Sequence, residues 1–326
     1  MRIRYLWWAL VLILLAAGAL LHSRAWEYDS EGYDIYYAWV EGQRLLAGQN
    51  PFARILQGNM LENNKYATYF PLFYLLAAAT EWLGLRDYEV WIGFWQPVFL
   101  LFHLASGAWL AVLFARQRRF LLGLIVLALW LLSNWALELT YVINFDAIPI
   151  FFLVVSLTLL PRRPLLALFS FSLSLALKQI AIFLVPLYLI WLWQEGDGGR
   201  PKRVLWGATA IASLPVLVSL PFLLWNAEGF VRSILFSATR YAGLGLNVAL
   251  ALGSGGFLSR LPLVALVGAV YLMAWCRQMG RFTAAMLTML GFISLNPVLF
   301  PQYVPWFLAL LLLALLEVGT PQPASP

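Results

Sequence analysis

Four carboxylates, Glu27, Asp29, Glu31 and Asp34, fall within eight residues, and the aromatic side chains Tyr36, Tyr37 and Trp39 follow directly. A carboxylate held beside aromatic faces can take the proton of a hydroxyl as that hydroxyl attacks a carbon centre, which is the work of a general base. Burial raises the pKa of such a group and a nearby cation lowers it, so its surroundings decide whether it can act. Solvated loop charge is the plain alternative, and it suits Glu27 and Glu31 at least as well. Asp34 stands apart because it abuts the Ile35-Tyr36-Tyr37 start of a short amphipathic helix. The glycine and proline of Gly48-Gln49-Asn50-Pro51-Phe52 should end that helix and turn the chain toward Tyr69-Phe70-Pro71-Leu72-Phe73-Tyr74.

Four further sets of polar residues interrupt apolar sequence. Glu138, Tyr141, Asn144 and Asp146 lie between two hydrophobic spans; an acid at a helix mouth is costly and often functional, although Asn and Asp there can also cap free backbone N–H groups. Lys178 is the one ionisable residue in the long apolar stretch from Leu165 to Trp193. It could snorkel to the interface or meet a phosphate as a point charge. Arg232 and Arg240, with Tyr241, follow Trp225-Asn226 and could also hold a phosphate, or ordinary anionic headgroups. Pro297, Pro301 and Pro305 break the chain around Gln302 and Tyr303, whose neutral hydrogen-bonding groups suit sugar hydroxyls. A tight hairpin between two spans would by itself account for the prolines.

The elements that must position these groups are membrane helices. Of the 326 residues, 63% are hydrophobic and 11% charged, against roughly 25% charged in soluble domains. Mean hydropathy is +0.81. Apolar spans near the ~20 residues needed to cross hydrocarbon are expected at 5–22, 90–115, 119–138, 143–160, 204–224, 260–277, 281–297 and 298–318. The first of these is read as a retained transmembrane helix rather than a cleaved signal. Residues 165–193 should form two short helices with Lys178 near their junction; 68–84 and the Gly-rich 243–258 are ambiguous. Basic clusters at Arg2/Arg4, Arg116/Arg118/Arg119, Arg162/Arg163, Arg200/Lys202/Arg203 and Arg277/Arg281 mark one side as cytoplasmic. They fall together if 68–84 does not fully cross and 165–193 makes a hairpin. Ten crossings result, with both termini cytoplasmic.

The net charge of +6 is spread over these short clusters, so it orients helices and does not suggest nucleic acid. Cys276, the single cysteine, allows no intrachain disulfide and should pack as a small apolar residue. His22 and His103 are distant in sequence and are not expected to form a metal pair. No Walker loop and no GxGxxG before a helix is present, so nothing supports cytosolic nucleotide binding. The expected fold is thus an all-α polytopic membrane protein, one domain over 1–318 with a first outer loop at about 22–68, juxtamembrane helices in that loop, and a disordered tail at 319–326.

Asp34-Ile-Tyr-Tyr-Ala, Leu46-Ala-Gly48-Gln-Asn50-Pro51-Phe52 and Tyr69-Phe70-Pro71-Leu72-Phe73, in that order, resemble elements of the GT-C superfamily of integral membrane glycosyltransferases. The chain looks most like the polyprenyl-phosphate-mannose-dependent mannosyltransferases of glycosyltransferase family 87 and their relatives. Asn144-Phe-Asp146, Lys178 before Pro186, and Pro301-Gln302-Tyr303 with Trp306 resemble later landmarks. The resemblance implies a GT-C-like bundle and inverting transfer of a sugar, most naturally mannose, from a polyprenyl phosphate to an acceptor hydroxyl on the non-cytoplasmic face. By that resemblance Asp34 is the catalytic base, and Lys178, Arg232 and Arg240 are candidates for holding the phosphate. Asp29, Glu31, Tyr37, Tyr69, Asp146, Gln302 and Tyr303 complete the expected substrate contacts. Implied partners are membrane lipids, the lipid-linked sugar donor and a glycan, glycolipid or protein acceptor; no cofactor is required, and a divalent metal would be compatible. Phe52 departs from the family, which often has Tyr there. A transporter or lipid flippase is the competing reading, and it would place paired acids and bases at the bilayer midplane within an internal repeat. A non-catalytic scaffold of the same fold is a third.

Overall fold

The computed structural model describes residues 2–27, 34–58, 66–141, 145–195, 199–239, 260–296 and 301–319. Among these the chain is helical throughout, with no strand. The helices are α1 (Arg2–Arg24), α2 (Asp34–Leu46), α3 (Leu72–Trp82), α4 (Tyr88–Arg116), α5 (Phe120–Leu132), α6 (Asn134–Tyr141), α7 (Ala147–Leu159), α8 (Pro164–Leu177), α9 (Val185–Gln194), α10 (Arg200–Thr239), α11 (Leu261–Trp275), α12 (Arg281–Leu295) and α13 (Val304–Ala314). Three of the described helices are long and apolar enough to cross a membrane, over Arg4–Arg24, Tyr88–Arg116 and Arg200–Phe236. Several others are apolar but shorter; the 13 residues of α7 measure about 20 Å at 1.5 Å per residue. Non-helical backbone at membrane depth is tolerated where it is buried in protein, and the break at Lys178, which is fully buried, meets that condition.

One such break divides the stretch from Leu165 to Trp193. It falls at Lys178, whose backbone is extended (φ −155°, ψ 122°), and a 3-10 helix over Gln179–Leu184 leads into α9. The expected hairpin with Lys178 at its junction is therefore present. A second break, at Ser133, separates α5 from α6 where one span over 119–138 was expected. A third lies at Asn226 in α10 (φ −158°, ψ 89°). The Asn226 side-chain oxygen accepts from the Gly229 N–H at 2.8 Å and starts the second leg of that helix. Only 11 residues of the ambiguous segment 68–84 are helical, as α3.

Hydrogen bonds tie the loops with basic residues together at one end of the bundle. Arg119 donates to the carbonyls of Leu315 and Val318, Arg277 to that of Gln194, Arg203 to that of Leu192 and Arg281 to that of Leu157. Trp7 donates to the Phe120 carbonyl and brings the start of α1 to the same end. Cys276 caps α11 there and is exposed, which corrects the expectation that it would pack: it falls just past the last turn, beyond the reach of neighbouring helices.

At the opposite end, α2 lies on α3. Its buried face, Ile35, Ala38, Glu41 and Gly42, recurs at the three- and four-residue spacing of one helical stripe. Glu41 Oε1 accepts from Arg44 and from Arg54, each at 2.7 Å, and so fastens α2 to the following 3-10 helix, Pro51–Gln57. Burial pushes the Glu41 carboxyl above its ordinary pKa, and the two guanidiniums oppose that shift. Asn50 caps the 3-10 helix through Phe52 N–H at 3.0 Å. Phe52 is fully buried, its ring edge-on to Tyr74, Phe222 and Phe230. A phenol in its place would carry a hydroxyl into this aromatic cluster, which gives a local reason for phenylalanine.

Gly42 is where α2 and α3 approach most closely. A Cβ there would meet Glu81 Oε1 at 2.3 Å and the Ala78 backbone nitrogen at 2.9 Å; the backbone cannot step aside as a side chain could. Gly42→Ala should therefore destabilise by about 1–3 kcal/mol, the usual cost of overpacking, read as a lower Tm of the detergent-solubilised protein. Gly93→Ala, whose Cβ would meet nothing within 4 Å, should leave Tm unchanged.

Candidate active site

Segments distant in sequence meet at the end of the bundle opposite the basic loops. Asp34, the first residue of α2, has its Oδ2 bound by two donors: the Tyr69 hydroxyl at 2.9 Å and the Gln302 amide at 3.1 Å. Tyr69 comes from the coil before α3 and Gln302 from the 3-10 turn Pro301–Tyr303 before α13. Tyr69 is itself fixed at its backbone, whose N–H lies 3.4 Å from the Tyr74 hydroxyl. Gln179 braces the same coil, receiving the Phe70 N–H at 3.3 Å and donating to the Thr68 carbonyl at 2.5 Å.

Beneath this layer lies a buried ion pair. Lys178 Nζ is 2.6 Å from Asp146 Oδ2, with both side chains wholly inaccessible. The other Asp146 oxygen accepts from the Trp306 indole at 2.5 Å. Lys178 also sits over the rings of Tyr69 and Phe145, at 4.8 and 4.9 Å from their centroids, where the negative ring faces favour a cation. Each partner ends a helix: Asp146 precedes α7 and Lys178 follows α8. Ser174 donates to the Pro149 carbonyl at 2.8 Å and holds the two helices in register nearby.

The Tyr69 hydroxyl is kept protonated. Burial holds its pKa well above the ordinary tyrosine value, and the charge of Asp34 pushes the same way. A phenol that stays neutral can only donate toward a carboxylate, so Tyr69 orients Asp34 without competing for its role as proton acceptor.

The expected site residues divide as follows. Asp34, Tyr69, Asp146, Lys178 and Gln302 meet in one continuous network. Tyr37 lies three residues beyond Asp34 on the same helix, at a spacing that places both on one face, with its ring against Tyr36 at 5.6 Å. Tyr303 adjoins Gln302, and its ring lies tilted against Phe292 with centroids 5.5 Å apart. Asp29, Glu31, Arg240, Tyr241 and Asn144, and the side chains of Glu138 and Tyr141, lie outside the described residues.

Three expectations are corrected. Lys178 neither snorkels nor presents a bare charge to a phosphate, because a break between two helices sends it inward to Asp146. Asp146 makes no capping bond with its side chain, since both of its oxygens serve Lys178 and Trp306. Arg232 stands away from the cluster in an exposed ion pair with Glu228 at 2.8 Å. It projects from the second leg of α10, whose opposite side packs on the Pro51–Gln57 segment through Ser233 and Phe230. His22 and His103, 81 residues apart in sequence, nevertheless meet with tilted rings, centroids 4.5 Å apart. Both His22 nitrogens are within hydrogen-bond distance of protein oxygens, on Thr140 and Leu131, while neither His103 nitrogen has a partner among the described residues.

Among the described residues no group of three His, Cys, Asp or Glu side chains could hold a metal ion. Both Asp146 oxygens are engaged, and Asp34 Oδ2 takes two donors. Gln179 belongs to the site but carries no signal of its own in the sequence, and Phe145 is marked only by its place between Asn144 and Asp146. Trp306 was visible only as a landmark near three prolines. No protein-family model, no curated protein and no solved structure matches the chain.

The ion pair has a measurable consequence. Removing one partner strands the other as a buried charge, which costs about 3–5 kcal/mol. Lys178→Met should therefore lower thermal stability severely, while the double variant Asp146→Asn/Lys178→Met should recover most of the loss, because Asn retains an acceptor for Trp306. Thermal unfolding of the purified proteins in one detergent compares the two.

Proposed function

We propose that the protein is an inverting, GT-C-like membrane glycosyltransferase that moves a sugar, with mannose the first candidate, from a polyprenyl phosphate to an acceptor hydroxyl. The observation that carries this reading is the Asp34 carboxylate, oriented by Tyr69 and Gln302 from two other segments. An isolated loop acid would have no such frame. In the proposed reaction the acceptor oxygen attacks the anomeric carbon as its proton passes to Asp34. The bond from that carbon to the phosphate oxygen breaks, and polyprenyl phosphate leaves with the bonding electrons. One displacement inverts the anomeric centre, so no glycosyl-enzyme intermediate is needed.

In this reading α1, α4, α5, α7, α8, α9 with its leading 3-10 helix, α10, α11, α12 and α13 make ten crossings of the plasma membrane. The end with the basic loops then faces the cytoplasm together with both termini, and Asp34 works on the opposite side, where α2 and α3 lie as juxtamembrane helices. Lys178 acts through position, holding Tyr69 by its ring face while its charge is balanced by Asp146.

A general base contributes roughly 10²–10⁴ in rate. Asp34→Asn should accordingly lower sugar transfer by at least about 10²-fold while leaving Tm and membrane insertion intact, as read with radiolabelled polyprenyl-phosphate mannose, glucose and arabinose. Tyr69→Phe should give a smaller loss, because Gln302 still orients the carboxylate. Normal transfer by the Asp34 variant would remove the assignment of the base.

One observation favours a second reading, a carrier coupled to protons or ions. The Asp146–Lys178 pair is buried at a helix break, an arrangement that transporters also use. Substrate-dependent flux in proteoliposomes, lost in Asp146→Asn but retained in Asp34→Asn, would favour the carrier over the transferase.

A further inference from the structure

At the end of the bundle with the basic loops, a cleft of about 470 Å³ opens between the ends of α9, α11 and α12, and Arg277, Arg281, Trp191, Gln194 and Glu317 are among its walls. Its charges are unevenly used. Glu317 is engaged with the start of α12, accepting from Phe282 N–H and Thr283 N–H at 2.9 Å each and from the Thr283 hydroxyl at 2.7 Å. Arg281 forms no ion pair with any described residue. Its guanidinium lies 5.6 Å from the Trp191 ring centroid, it reaches the Leu157 carbonyl only at 3.5 Å, and its buried Nε has no partner among the described residues. A guanidinium drawn out of water in this way calls for a counter-anion. Arg277 brings a second guanidinium to the same cleft, set by a left-handed backbone (φ 56°) and by its bond to the Gln194 carbonyl at 2.9 Å.

The surroundings point to a lipid. Gln194 donates to the carbonyls of Ala274 and Trp275, which joins the end of α9 to the end of α11. Beside this joint the rings of Trp193 and Trp275 stack at 6.0 Å, and Trp275 is half exposed. Tryptophan prefers the headgroup level of a bilayer. Leu272 and Met273, one turn back along α11, are exposed and continue an apolar surface away from the cleft. Guanidiniums thus stand at headgroup depth, with apolar surface below them for acyl chains.

We propose that this cleft binds the phosphate of an anionic phospholipid, held between Arg281 and Arg277 with the Trp193–Trp275 pair at its rim. Basic pockets between helices at the cytoplasmic face are suited to such headgroups. The proposal stands apart from the sugar-transfer reading, since the two sites occupy opposite ends of the bundle.

The test uses the full chain, delipidated in detergent and then offered phosphatidylglycerol, phosphatidylcholine or glycerol 1-phosphate. Native mass spectrometry counts retained lipid, and thermal unfolding reports stabilisation. The wild type should retain phosphatidylglycerol over phosphatidylcholine by about tenfold, and Arg277→Gln/Arg281→Gln should lose that preference. Arg277→Gln alone, at an exposed position, should lose part of it with Tm unchanged, so the proposal is still tested if the double variant fails to fold. Arg163→Gln, at an exposed residue of the same end, should keep it. Equal retention of the two lipids by the wild type, an undiminished preference in Arg277→Gln, or stabilisation by glycerol 1-phosphate as large as that by phosphatidylglycerol would overturn the proposal.

Discussion

The buried pair between Asp146 and Lys178 is the interaction on which the end of the bundle around Asp34 depends. A lone charge in this setting would be intolerable, and the pair is acceptable only because its remaining hydrogen-bonding capacity is met: Trp306 supplies a donor to the second carboxylate oxygen, and two ring faces flank the ammonium. Satisfying the pair fixes four segments at once, namely the start of α7, the end of α8, the first turn of α13 and the coil that carries Tyr69. The helix break at Lys178 follows from the same requirement. The chain leaves helical geometry at Lys178, and that turn sends the side chain inward.

Above this base, the Asp34 network combines groups of different mobility. Asp34 begins a helix clamped by Glu41 to Arg44 and Arg54, Tyr69 is held by the backbone bonds of its coil, and Gln302 stands on a short 3-10 turn. The aromatic shell makes this arrangement stiff: Phe73 stacks on Phe145 at 4.1 Å, and Tyr69 meets Phe145 edge-on at 5.6 Å. Rings contribute large buried area with few rotatable bonds, so they can hold a carboxylate at a fixed angle at little entropic cost.

The two ends of the molecule use charge in opposite ways. Around Asp34 the charges are matched inside the protein, and the network is neutral apart from that carboxylate itself. Around Arg281 the cation lies against an indole ring and forms no ion pair with a carboxylate among the described residues. The first arrangement stores orientation within the fold, whereas the second leaves a demand for something outside it.

Composition and hydropathy determined that the chain is a helical membrane protein, because apolar runs of this length have no other stable environment. Local sequence also marked the helix that starts at Asp34, the turn at Asn50-Pro51 and the interruption at Lys178, since proline, glycine and a lone charge act over only a few residues. Asp34, Tyr69, Asp146, Lys178 and Gln302 could each be singled out by type and setting. Tertiary structure alone decided who partners whom. Lys178 could have faced lipid headgroups, a phosphate or a carboxylate, and the choice of Asp146 rests on packing between helices that sequence spacing does not encode. The same holds for His22 and His103, whose rings meet from two separate helices, and for Arg232, whose helix turns it outward. Hydrophobic burial specifies which faces turn inward, but it is non-directional; hydrogen bonds and ion pairs are directional and form only once the packed backbone has brought their partners within reach.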